Sequence, residues 1–91
     1  MISFDILVQG AQNLKAKRSC VKSLIHRVRN RFNVSAAEVG YHDLWNRSKI
    51  GIAVVGNDRE IVGKVADKVT EFIYSAKDVE VIGNEMEILR Y

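Results

Sequence analysis

The apolar residues of this chain switch between a period of two and one of about 3.6, and the order of the switches limits the fold more than any other feature. Residues 2–9 alternate strictly, with Ile2, Phe4, Ile6 and Val8 on one face and Ser3, Asp5, Leu7 and Gln9 on the other. That pattern predicts a strand with one buried face. Gly10 and Gln12-Asn13 break it, and Leu14, Val21, Leu24, Ile25, Val28 and Phe32 then recur at helical spacing. An amphipathic helix over 14–31 follows, with Asn13 able to cap its first turn. Val34–Tyr41 reads as a second strand and Lys49–Val55 as a third, the latter with small Gly51 and Ala53 on one face. The segment 42–48 between them is longer than a tight hairpin turn. Asn57 and Glu60 have the spacing of a capping box. Ile61, Val62, Val65, Ala66, Val69, Phe72 and Ile73 mark a second amphipathic helix. The last segment, Val79–Leu89, alternates around an interruption at Gly83-Asn84 that reads as a bulge.

Strand, helix, strand, strand, helix, strand is the order of the ferredoxin-like βαββαβ sandwich, an α+β fold. Right-handed crossovers put both helices on one face of a four-stranded antiparallel sheet. The other sheet face, carrying Leu7, Ala53 and Val55, has no helix of its own, so it is a binding platform or a homodimer interface. With 91 residues the chain makes a single domain over 1–91 and can bury enough surface to fold without staples. Its lone cysteine, Cys20, forms no internal disulfide and gives no sign of an oxidising compartment. Residues 1–5 lack a basic segment followed by an apolar block, so no signal peptide is expected, and no apolar run is long enough for a bilayer. A cytoplasmic protein without a membrane role is expected.

The net charge of +3 hides a sharper asymmetry. Residues 6–37 contain Lys15, Lys17, Arg18, Lys22, Arg27, Arg29 and Arg31 and no acid, whereas residues 38–91 carry seven basic and ten acidic groups. On the first helix, Lys15, Arg18, Lys22, His26 and Arg29 fall within a sector of about 80°. The second helix intersperses its charges, as i,i+4 pairing favours. The first does not, and one reading is a surface that tracks RNA phosphates. The other is a solvated face whose partners are acids elsewhere, such as Glu85 and Glu87. In the 42–48 connection Trp45, with Tyr41 and His42 beside it, could stack on bases, while Arg47 and Lys49 extend the charge. A single tryptophan at a hairpin end more commonly folds back over the core.

Catalytic chemistry finds little support. Val8-Gln9-Gly10 resembles the strand end of acylphosphatases, but the guanidinium needed just after the glycine is missing, and the first arginine is Arg18. His26, His42 and Cys20 lack metal-ligand spacing, and Cys20 reads as a small packing residue. No enzyme activity, cofactor or metal is expected.

Several segments together resemble the bacterial YlxP-like proteins, a family of unknown function. They are Gly10-Ala11-Gln12-Asn13-Leu14-Lys15-Ala16-Lys17-Arg18-Ser19, Arg29-Asn30-Arg31-Phe32-Asn33-Val34-Ser35, Asp43-Leu44-Trp45 and Gly51-Ile52-Ala53-Val54-Val55 with Asn57-Asp58. Asn13 stands where a serine cap would be expected. The resemblance implies a ferredoxin-like fold and a gene among those of translation and ribosome maturation, with no established activity. The expected function is a non-enzymatic RNA- or ribosome-associated binding protein that uses Lys15, Lys17, Arg18, Lys22, Arg29, Trp45 and Arg47. The alternative is a homo-oligomeric protein-interaction module, for example a homodimer, that uses the open sheet face.

Overall fold

The computed structural model describes residues 1–89. Its elements are β1 (Ile2–Val8), α1 (Leu14–Arg31), β2 (Ser35–Gly40), β3 (Arg47–Ala53), α2 (Arg59–Ser75) and β4 (Val79–Met86). The strands form one antiparallel sheet in the order β2-β3-β1-β4, so the fold is ferredoxin-like α+β. Along β1, buried and partly buried residues alternate without a break. Ile2, Phe4, Ile6 and Val8 meet Val21, Leu24 and Val28 of α1 and Ala66, Val69 and Ile73 of α2 in one core with Ile50 and Ile52. Gly10 turns the chain from β1 into α1 with φ +75°, a conformation open to glycine at little cost.

Both helices are capped by the side chain before them. The Asn13 carboxamide accepts from the Ala16 amide at 2.8 Å. At α2 the cap is Asp58 rather than Asn57, its carboxylate accepting from the Glu60 and Ile61 amides; the third helical residue is then Ile61, so the expected Asn57–Glu60 capping box does not form. A carboxylate there also suits the positive end of the helix dipole. The third strand starts and ends two residues earlier than expected, which leaves Val54 and Val55 beyond its end. The fourth stops at Met86, short of Leu89.

Two irregularities re-aim the sheet. In β4, Asp5 pairs with Gly83 and Ile6 with Val81, leaving Ile82 as the extra residue, one position before the interruption expected at Gly83-Asn84. In β2, Glu38 pairs with Ile50 and Gly40 with Lys49, leaving Val39 unmatched. Val39 lies over Gly51, where an added Cβ would come within 2.9 Å of its methyl group. Such two-against-one pairings bend a strand and turn its side chains. Here the bend delivers the chain into the β2–β3 loop.

Candidate functional site

The cations of α1 divide into groups with different surroundings. Lys17 is fully buried, not part of the exposed stripe. It shares the spacing of Val21, Leu24 and Val28, which all face the sheet. Its ammonium donates to Glu38 Oε2 at 2.8 Å and to the Tyr41 and His42 carbonyls at 3.0 and 3.3 Å, which uses all three of its donors. Ser48, also buried, donates to the same Glu38 oxygen at 2.6 Å. Burial pushes the Glu38 pKa up, but the hydrogen bonds from Lys17 and Ser48 and the Lys17 charge outweigh it, and the net shift is downward. Lys17 is therefore a structural clasp between α1 and the β2–β3 loop, and it is removed from the RNA-contacting set.

Arg29 also has other work, since its guanidinium donates to the Ala36 carbonyl on β2. Arg27 pairs with Asp78 at 3.1 Å. Glu85 and Glu87, the acids expected to neutralise α1, form no ion pair with it among the described residues; Glu38 and Asp78 do so instead. Lys15, Arg18 and Lys22 remain. They are exposed on α1, and among the described residues no carboxylate lies within ion-pair distance of them.

The loop between β2 and β3 is held at both ends. Tyr41 takes φ 58°, a left-handed conformation that costs a bulky residue strain. Its carbonyl accepts from Lys17 Nζ and from the Leu44 amide at 3.1 Å. At the other end the Asn46 carbonyl accepts from the Val8 amide at 2.9 Å, tying the loop to the end of β1. Trp45 does not fold back under the core edge, since 52 % of its surface is exposed, and Leu44 beside it is exposed at 44 %.

Arg47 occupies a different place from the one expected. It lies on the open sheet face, opposite Leu7, and makes a two-pronged pair with Asp5. Its guanidinium sits 4.4 Å from the centroid of the Tyr41 ring. The hydrogen bonds from Arg47 hold the Asp5 carboxyl below its ordinary pKa. This cation is already partnered on both sides, so its place in a phosphate-binding set falls away. The open face is consequently polar across its middle, with Val39, Tyr41 and Ile82 as its large exposed apolar groups.

Cys20 donates to Asp78 Oδ2 at 3.3 Å, and burial together with that carboxylate raises its pKa to about 11. A thiol so held is a poor nucleophile. No helix among the described residues is long and apolar enough to cross a membrane.

Sequence reasoning missed Glu38, which completes the clasp; His42, expected as a stacking candidate, instead places its Nε2 3.2 Å from the Glu38 carbonyl. A signal for the clasp was present. Lys17 continues the series Val21, Leu24, Val28 backward by four, and Glu38 continues the core phase of Ala36 by two. A buried lysine and a buried-phase glutamate in facing elements point to each other.

The family model for a protein of unknown function, DUF503, matches residues 1–86. The chain is also 40 % identical over 83 residues to the uncharacterised protein YlxP of Bacillus subtilis (strain 168), covering 88 % of this chain and 90 % of that protein. On both the family match and the near full-length similarity, the chain belongs to the YlxP-like family of unknown function.

Proposed function

We propose that this protein is a non-enzymatic, RNA-binding protein that acts on ribosomal particles, using the exposed basic stripe of α1 and the tryptophan loop next to its N-terminal half. The observation that carries the reading is that Lys15, Arg18 and Lys22 have no acidic partner among the described residues, whereas the other α1 cations are clasped, paired, held over aromatic rings or bonded to backbone. Uncompensated like charge along one helix is unfavourable in isolation and favourable against a row of phosphates. The Lys17 clasp supports the same reading, because it fixes the loop to α1 and so holds Trp45 in a set relation to the stripe.

Self-association through the open face has weaker support. Val39, Tyr41 and Ile82 offer apolar surface, but closing a second copy over them would desolvate the Asp5–Arg47 pair. The test is binding to a single-stranded oligoribonucleotide over a range of salt. Three phosphate contacts give a slope of log K against log salt of about −2, at about −0.7 per contact for single strands. Reversing Arg18 and Lys22 to glutamate removes binding and leaves the melting temperature nearly unchanged. Retained binding, or a slope near zero, refutes the proposal.

A further inference from the structure

A second surface lies at the opposite end of the molecule, where α1 and β3 finish and α2 starts. Because β1 and β3 run antiparallel, the β2–β3 loop and this surface cap opposite ends of the sheet. α1 separates them by about 27 Å, at about 1.5 Å rise per residue. Here Val55 is 94 % exposed and Ile61 59 % exposed, beside half-buried Phe32 and Val62. Together they line a cleft of about 360 Å³. Val55 lies outside every strand, and exposure that high means it does almost nothing for the monomer's own core.

Arg31 stands at the edge of this cleft. Its guanidinium carbon lies over two rings at cation–π distance, 5.9 Å from the Phe32 centroid and 5.3 Å from that of Phe72. The rings in turn pack edge to face at 5.7 Å. Among the described residues it has no carboxylate partner. The one acid lining the cleft, Asp58, is turned to the Glu60 and Ile61 amides as the cap of α2. A cation held over two aromatic rings, beside exposed apolar groups, has the make-up of an interface anchor.

We infer that this end of the molecule docks a protein segment that places a bulky apolar side chain in the cleft and a carboxylate on Arg31. Charge decides the class of occupant. One fixed guanidinium matches one carboxylate, ideally two-pronged. A nucleic acid would need a row of cations and would bring its phosphates against Asp58. The inference is independent of the α1 stripe and adds a protein contact to a protein proposed to bind RNA.

The probe is a blocked tetrapeptide with leucine and phenylalanine between two glutamates, compared with the same peptide carrying glutamines. Both are titrated into the isotopically labelled protein to millimolar concentration. The acidic peptide shifts the backbone amides of Val55, Gly56, Ile61 and Val62 and binds about fivefold tighter than its amide counterpart, the scale of one half-exposed ion pair. Val55→Asp, a change at an exposed position outside the core, removes the shifts for both peptides. Arg31→Met keeps an apolar stem over the rings and brings the acidic peptide down to the level of the other. Should that variant fold poorly, the comparison of the two peptides on the unmodified protein still decides the question. No shifts at these amides, or equal affinity for the two peptides, overturns the inference. So do shifts that grow with protein concentration alone, which would identify a second copy as the occupant, and stronger shifts with an oligoribonucleotide.

Discussion

Lys17→Met separates a buried clasp from a basic surface, because the two roles predict opposite readouts. Methionine keeps the length of the side chain and most of its apolar stem, so packing against α1's neighbours changes little. What goes is the ammonium with its three hydrogen bonds to Glu38, Tyr41 and His42. Glu38, 16 % exposed at its side chain, keeps only the Ser48 hydroxyl. Removing one partner of a buried pair costs about 3–5 kcal/mol; with Glu38 still touching water, the lower end, about 3 kcal/mol, is expected. For a domain of this size that lowers the melting temperature by roughly 12–24 °C. An exposed lysine replaced in the same way shifts stability by less than about 0.5 kcal/mol. The double change Lys17→Met with Glu38→Gln restores part of the loss, since no buried charge then stands alone.

The acid limb of the stability curve gives an independent check. The folded Glu38 pKa lies below its ordinary 4.5, so the folded state binds its proton less readily than the unfolded one. Its contribution is therefore complete above about 4.5 and drains away as pH falls through the lower folded value. In Lys17→Met the Glu38 pKa rises and that part of the acid limb moves to higher pH. Chemical denaturation across the acid range measures both quantities. A variant with unchanged melting and unchanged acid limb would refute the clasp and return Lys17 to the surface.

Phe4→Ala and Val28→Ala remove fully buried side chains that share one core; Phe4→Ala costs about 3–5 kcal/mol and Val28→Ala a smaller part of that range, by denaturant titration. For Trp45, addition of single-stranded RNA quenches the fluorescence of this only tryptophan, and Trp45→Ala weakens binding by about 1–3 kcal/mol without early melting. An early-melting variant with normal binding would remove the loop from the site. Cys20, with its thiol raised to about 11, reacts with iodoacetamide far more slowly in the native protein than in denaturant near neutral pH; equal rates would mean that the contact with Asp78 does not persist in solution.

The fold was legible because each element states its period clearly. Strict alternation at Ile2, Phe4, Ile6 and Val8 and helical spacing at Val21, Leu24 and Val28 describe both sides of one core. Boundaries were less so: Val54 and Val55 look like strand continuation, but pairing with β2 stops at Ala53, and strand ends depend on partners rather than on side chains. The candidate site was legible only as a charge pattern. Periodicity places Lys17 on the apolar face, but its basic character pulls it toward the stripe, and only the position of Glu38 resolves the conflict. Arg47 shows the same limit, since the pairing that sets it near Asp5 is a register, which a single strand's sequence does not contain.

Arg29 and His42 have a consequence beyond their hydrogen bonds. β2 is an edge strand, and on such a strand every second carbonyl points away from its neighbour, free to template another chain. Ala36 and Glu38 are in the same phase, and their carbonyls meet Arg29 and His42, one from a helix and one from a loop. Two outward carbonyls of this edge are thus covered by side chains that belong to other elements. A substitution at Arg29, on the outside of a helix, would then register as a change in how the protein keeps in solution at high concentration. Screening such helix variants for RNA binding alone would mistake a loss of colloidal stability for a loss of the site.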